Sequence, residues 1–233
     1  YSQYAKVDSK FLVKKPKELT LKQSMIMGTA GFTALQSAFV TKLTREELLL
    51  GEKVNDVIVS GASGGVGSIA IMILNKLGCN VTAVTGKNNN IEYLKLLGAK
   101  NVINTSELIK DARPLDKGLW DGAIDTVGGK VLENIISQTK DAGIVASCGN
   151  AADIKLNTTV MPFIIRGVKL WGINSVSVSN VRRKFLWSEV SKLVDFEILD
   201  KSIKEISLEE VHDVYLKMLK GETSGRYIIN INK

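Results

Sequence analysis

Val57-Ile58-Val59-Ser60-Gly61-Ala62-Ser63-Gly64-Gly65-Val66-Gly67-Ser68 is the stretch from which the fold is read. Three apolar β-branched residues in a row suit a short strand buried on both faces. Glycines follow at once, and Ser68 to Leu77 reads as a helix closed by Gly78. Strand, glycine turn and helix in immediate succession are the context that a phosphate-binding fingerprint requires. Written from Ala62, the motif is A-x-G-x-x-G, with alanine where a first glycine is usual. Gly64 lets the backbone approach a pyrophosphate and Gly67 lets the helix pack on the strand. The helix N-terminus adds free N–H groups and a partial positive charge. A tight turn that binds nothing would carry the same glycines, so the surroundings have to decide.

Working outward, the pattern repeats. Val81 to Val84 reads as a strand, Asn89 to Leu97 as a helix stopped by Gly98, and Val102-Ile103 as a short strand. Gly122 to Asp125 is a strand, followed by the turn Val127-Gly128-Gly129 and a helix from Lys130 to Thr139. Gly143 to Ser147 and Val168 to Ile173 complete six strands. Strands alternating with helices imply an α/β fold, a doubly wound parallel sheet of the dinucleotide-binding kind. The flanks break this rhythm. Residues 1–25 read as a strand ending in the turn Lys14-Lys15-Pro16, and Glu209 to Leu219 as an amphipathic helix. Arg226 to Ile231 reads as an isolated strand. The expected division is therefore residues 26–200 as the dinucleotide-binding unit, with 1–25 and 201–233 as two pieces of a second domain. A chain that opens at Tyr1 in mid-strand is expected to be a fragment.

The end of the second strand discriminates between cofactors. An NAD site usually carries Asp or Glu there to accept from the ribose hydroxyls. This strand ends Val84-Thr85-Gly86-Lys87, without a carboxylate. A carboxylate would repel a 2′-phosphate, whereas Lys87 would attract it and Thr85 would hydrogen-bond to it, which favours NADP. The bland alternative for Lys87 is a solvated loop lysine. Asp125 ends the fourth strand as either a structural cap or a site residue. Cys148, beside Gly149 and Asn150 after the fifth strand, is either a wall residue or a reactive thiol, and the wall is favoured. The single histidine, His212, has no nucleophile paired with it by motif, so no triad and no catalytic residue is assigned.

Composition excludes other classes. Of 233 residues, 45% are hydrophobic and 24% charged, ordinary for a globular chain. Two cysteines outside any CxxC pair and one histidine argue against a zinc site and for a reducing, cytoplasmic setting. The longest apolar stretch, near Ile69 to Leu74, is far short of the ~20 residues that span a membrane. The net charge of +7 is spread in short runs such as Lys14-Lys15 and Arg182-Arg183-Lys184. No nucleic-acid motif accompanies it, and it reads as a solvated surface or as attraction to an anionic ligand.

The strings GASGGVGS, AVTGK, YLKLLGA, GAIDTVGG, VASCGN, TTVMPFIIRGVKLWGI and KEISLEEV together resemble the medium-chain dehydrogenase/reductase superfamily. Within it the chain resembles the zinc-free quinone oxidoreductase branch, in its acrylyl-coenzyme A reductase group, over essentially its whole length. The resemblance implies a GroES-like catalytic domain interrupted by the Rossmann domain, which would account for both flanks. It also implies about a hundred further residues ahead of Tyr1, one small domain. It implies pyrophosphate on Ala62, Ser63, Gly64, Gly65 and Val66, and a 2′-phosphate at Thr85, Gly86 and Lys87. The group often carries an additional basic residue after its second Gly-Ala pair; here that position is Asn101, preceded by Lys100, which implies that the 2′-phosphate rests more on Lys87. Cys148, Gly149 and Asn150 would line the nicotinamide ribose, with Phe163 and Ser175 closing around the cofactor and Thr29 and Thr33 approaching the nicotinamide. The implied chemistry is hydride transfer from NADPH to an activated alkene or a quinone. Without the rest of the active site, the alternative is an NADP-binding module with no catalysis of its own. A homodimer joined at the apolar sixth strand is implied as well.

Overall fold

The computed structural model describes residues 2–48 and 51–232. Six strands among them form one parallel sheet: β1 (Asp56–Val59), β2 (Asn80–Thr85), β3 (Ala99–Asn104), β4 (Trp120–Asp125), β5 (Thr139–Ser147) and β6 (Lys169–Gly172). Their order is β3-β2-β1-β4-β5-β6. The chain winds outward from β1 in both directions, so the order reverses between β1 and β4. A crevice opens there beyond the carboxyl ends of the strands, as in the Rossmann fold.

Two apolar layers cover the sheet. On one side lie α1 (Leu21–Ala38), α3 (Gly65–Lys76), α7 (Asn180–Leu193) and α8 (Phe196–Asp200), whose inward residues join Ile26, Leu35, Ile69, Ile73, Leu186 and Leu199 into one cluster. On the other, α5 (Gly129–Ser137) buries Val131, Leu132, Ile135 and Ile136 against Ile58 and Val145. Each such side chain contributes about 1.5–3 kcal/mol of burial. Three short helices complete the unit: α2 (Arg45–Leu48), α4 (Ile91–Leu96) and α6 (Met161–Arg166). At the amino ends of the strands, Lys140 bridges Asp56 and Asp121 at 2.9 and 3.3 Å, fixing the edge remote from the crevice.

Helix α1 starts in a capping box: Gln23 N donates to Thr20 Oγ1 (3.1 Å) and Thr20 N to Gln23 Oε1 (2.9 Å). It kinks at Gly28, whose φ of 45° and ψ of −150° leave the helical region. The expected boundary between residues 25 and 26 therefore falls inside a helix. A second, two-stranded parallel sheet joins β7 (Ile203–Ile206) to β8 (Arg226–Ile229), with α9 (Val211–Leu219) between them in sequence.

Three expectations are corrected. Among residues 2–20 there is no strand, only a 3-10 turn at Ser9–Phe11. A strand needs a partner strand for its backbone groups, and none pairs with this segment among the described residues. The last strand is not isolated, because Ile203 to Ile206 pair with it residue for residue. The helix after Gly129 stops at Ser137 rather than at Thr139, which already pairs with Trp120 in the sheet. No helix among the described residues is long and apolar enough to cross a membrane.

Candidate functional site

The glycine turn after β1 lies at the crevice. Gly61 takes a positive φ of 57°, and Ala62 N donates to the Val84 carbonyl (3.0 Å), tying the turn to β2. A Cβ on Gly67 would lie 2.5 Å from the Gly61 carbonyl oxygen and 2.7 Å from the Ala62 Cα. This glycine is therefore required for α3 to pack against the turn. The N-cap of α3 is Gly64, which has no side chain to satisfy the first-turn amides. Those N–H groups open outward with the positive end of a twelve-residue helix behind them, an arrangement suited to an anion.

Beside that cradle stands a cation not anticipated from the sequence. Arg226, the first residue of β8, donates from Nε to the Ile26 carbonyl (3.0 Å). Its Nη1 lies 3.0 Å from where a Cβ on Gly65 would be, and its Nη2 3.2 Å from a Cβ on Gly28. Both glycines leave room for the guanidinium. It has no carboxylate partner among the described residues, and burial pulls its pKa down. An unpaired, partly buried cation of this kind is poised for a negative ligand. Gly225 N also donates to the Ser63 carbonyl (3.0 Å), so the returning strand is clamped onto the glycine turn.

At the end of β2 the expected polar residues do converge. Ser63 Oγ and Thr85 Oγ1 are 3.3 Å apart, and Lys87 N donates to Thr85 Oγ1 (3.1 Å). The Lys87 ammonium donates to the Thr223 carbonyl, and burial lowers its pKa. Gly86 is exposed, with Thr105 as its neighbour: the Thr105 hydroxyl is 3.8 Å from a Cβ on Gly86. Asn101 is not brought here. It pairs with Thr82, three residues back along β2 from Thr85, which is about 10 Å away. The residue carried to the carboxyl end of β3 is Asn104, followed by Thr105.

On the other side of the crevice a pocket of about 600 Å³ is walled by Thr29, Thr33, Val66, Cys148, Ser175 and Arg226, among others. Cys148 N and Sγ both donate to the Asp125 carbonyl, at 2.9 and 3.3 Å, and burial pushes the thiol up to about 11. Such a thiol is a wall rather than a nucleophile. Asp125 is fully buried, and both its oxygens are occupied. Oδ1 accepts from Ser60 Oγ (2.6 Å) and Val127 N (3.3 Å), and Oδ2 from Gly128 N (2.9 Å). Burial raises its pKa despite those bonds. It is the cap that pins β1 to β4 across the crevice. Gly149 packs on the Thr126 carbonyl, where a Cβ would meet the oxygen at 2.4 Å, and Asn150 is exposed beside Gly128. Phe163 is not in this pocket. It packs with the α5 layer on the opposite face of the sheet. His212 is exposed on α9.

A family model described as zinc-binding dehydrogenase matches residues 65–195. The probable acrylyl-CoA reductase AcuI of Escherichia coli is 39% identical over 231 residues, covering 99% of this chain and 70% of that protein. The chain belongs to the medium-chain dehydrogenase/reductase superfamily. Within this superfamily it falls beside AcuI and the putative quinone oxidoreductase YhfP of Bacillus subtilis. YhfP is 40% identical over 99% of this chain and 69% of its own length. The yhdH oxidoreductase of Salmonella enterica, solved with NADP, superposes with a TM-score of 0.91 at 39% identity over 97% of this chain and 68% of that one. YhfP itself was solved with NAD, with a TM-score of 0.87 at 38% identity and the same coverage. The superfamily includes zinc enzymes, but among the described residues no three His, Cys, Asp or Glu side chains gather as metal ligands.

Proposed function

We propose that this chain is the NADP(H)-binding part of a reductase that adds a hydride to an activated alkene of the acryloyl-CoA type or to a quinone. The observation that carries the reading is the conjunction at the crevice: uncapped amides of α3 beside the unpaired Arg226 guanidinium. A dinucleotide pyrophosphate, doubly negative, matches both. Ala62, Ser63, Gly64, Gly65 and Val66 would hold it, and Thr85, Gly86 and Lys87 would take the adenosine 2′-phosphate. Thr223 and Thr105, which border that group, belong to the same subsite. The lack of a carboxylate at the end of β2 supports NADP over NAD, as does the NADP complex of the Salmonella enterica relative. The NAD complex of YhfP makes the preference worth measuring.

NADPH, when bound, supplies the hydride. The residues of this chain would hold the ring against the alkene within the pocket of Thr29, Thr33, Cys148 and Ser175 and exclude water from it. We assign no proton donor. Residues 26–200 act as the cofactor unit, while 1–25 and 201–233 contribute to a GroES-like catalytic domain. The carboxyl-terminal segment also completes the cradle through Arg226. The edge strand β6 exposes Leu170 and Trp171, 38% and 42% accessible, and we assign it to a homodimer interface. Two free cysteines agree with a cytoplasmic setting. A small-molecule reductase of this kind needs neither nucleic acid nor membrane.

Oxidation of NADPH in the presence of acryloyl-CoA, and separately of a quinone, tests the reading. NADPH binding with no turnover of either would support the second reading, an NADP-binding module without catalysis. The open apolar face of α9, which shares a second cleft with Gly65, Val66 and Arg226, favours that reading for this chain alone. Absence of NADPH binding would reject both.

A further inference from the structure

The wall that Ser175 gives to the pocket is not made by the sheet. β6 ends at Gly172, and after Ile173, whose N–H still donates to the Ser147 carbonyl (2.9 Å), the chain leaves the ladder. Residues 174–177 form a turn at the open edge of the sheet and lead to Ser179, the N-cap of α7. The Val176 side chain is 81% exposed, so burial does not hold this turn. Ser175 is half-buried, lines the pocket with Thr29, Thr33 and Cys148, and makes no hydrogen bond to another described residue.

Polar contacts hold the turn instead. Asn174 Oδ1 accepts from Val176 N (2.9 Å) and Ser177 N (3.0 Å), closing an Asx turn around Ser175. Gln36 Nε2 donates to the Asn174 carbonyl (3.4 Å). Arg183 Nη2 donates to the Val176 carbonyl (3.2 Å), and its guanidinium lies 5.1 Å from the ring centroid of Phe32. Arg183 forms no ion pair among the described residues, so its charge meets only a carbonyl and a ring. The helix that carries it is fixed, because Leu186 and Val190 are buried in the cluster shared with α1 and α3. Phe32 and Gln36 lie one turn apart on α1, each three residues beyond Thr29 and Thr33. One stripe of α1 thus walls the pocket, and the next stripe props the turn. Gln36 Oε1 is buried without a partner. An unpaired buried acceptor costs stability, so packing alone does not explain this amide.

We infer that Arg183, Asn174 and Gln36 are positioning residues for the nicotinamide half of the cofactor. They act through the turn, which they hold where Ser175 meets the ring. The inference rests on the assignment of the adjoining pocket to the nicotinamide. A turn on an exposed edge, once its props are removed, samples other positions, and apparent affinity falls with the fraction of time it spends in the competent one. The adenosine half is out of reach of this effect. Thr85 ends β2 and the turn follows β6, with β1, β4 and β5 between them, a separation of about 19 Å across four strand spacings.

The test is calorimetric titration of the chain with NADPH and with adenosine 2′,5′-bisphosphate, which keeps the 2′-phosphate and lacks the nicotinamide half. Arg183→Ala and Asn174→Ala should each bind NADPH about fivefold more weakly, as for a turn in place about a fifth of the time. Both should bind the bisphosphate as the wild type does. Gln36→Leu should show a smaller loss of the same kind. Asn174→Asp, which keeps an acceptor for both amides, should retain wild-type affinity for NADPH. Unchanged NADPH affinity in the two alanine variants overturns the inference. So does an equal loss of both ligands, or an Asn174→Asp variant as weak as Asn174→Ala. Should Arg183→Ala fail to fold, the two variants of the exposed Asn174 decide the matter. A wild-type chain that binds neither ligand rejects the functional reading of the crevice and this inference with it. A wild-type chain that binds both, with variants that do so equally well, rejects the inference alone.

Discussion

Ile58, Ile69, Ile124 and Ile135, in the sheet and the helices beside it, are fully buried, whereas Tyr215, Met218 and Leu219 on α9 are each more than half exposed. The two regions are built from similar residues and differ in what covers them. The six-stranded unit has helices on both faces and closes its own core. The β7–α9–β8 unit rests on a four-residue ladder, on three links to the crevice (Gly225 to Ser63, Arg226 to Ile26 and Lys87 to Thr223), and on the Lys22–Glu205 ion pair to α1. The cofactor cradle thus has a rigid half, the glycine turn, and a half supplied by a strand outside the six-stranded sheet. Ligand that bridges the two should order the second more than the first.

The largest expected effect is on the rigid half. Gly67→Val places side-chain atoms into the Gly61 carbonyl and should cost about 3 kcal/mol in denaturant unfolding, with NADPH binding lost. A stable, binding-competent variant would break the comparison. Asp125→Ala strands the Ser60 hydroxyl and the Val127 and Gly128 amides, and should cost about 2 kcal/mol. It should also alter the pH dependence. Asp125 has a folded pKa raised above its ordinary 3.8. As pH rises through that window the folded state must therefore release a proton that the unfolded chain has already lost, and stability falls. The variant should lack this decline.

Arg226→Ala probes the second half. It should weaken NADPH and NADH alike by about tenfold, as expected for one charge-assisted contact, and leave the unfolding of the sheet unit unchanged. A preference for one cofactor in this variant would place Arg226 at the wrong phosphate. The smallest effect is expected at Met218→Ser on α9, within about 0.5 kcal/mol in denaturation because the side chain is already 55% exposed. A cost above 1 kcal/mol would mean that something covers α9 in solution.

The sheet was legible because short apolar runs such as Val57–Val59 and Val81–Val84 alternate with helical segments and glycine turns, and local pattern suffices for that. The glycine turn and Thr85–Lys87 were legible because both sit at strand ends, whose place at the crevice follows from topology. Arg226 was not, because its role depends on a contact across 200 residues with Ile26 that no local pattern records. The small residues at Gly28 and Gly65 were the available signal. Asn101 was misplaced for a related reason. Sequence distance from the second Gly-Ala pair cannot fix the register of β3, and the register carries Asn104 and Thr105 to the site instead.

The central claim is that the crevice binds NADPH, with the 2′-phosphate held at Thr85 and Lys87. Calorimetric titration of the chain with NADPH and with NADH, repeated on Lys87→Ala, tests it most directly. The account predicts tighter binding of NADPH, with an advantage that shrinks about tenfold in Lys87→Ala while NADH affinity stays the same. Equal affinity for the two cofactors in the wild type would contradict the 2′-phosphate assignment. Binding of neither by the folded chain would contradict the claim itself.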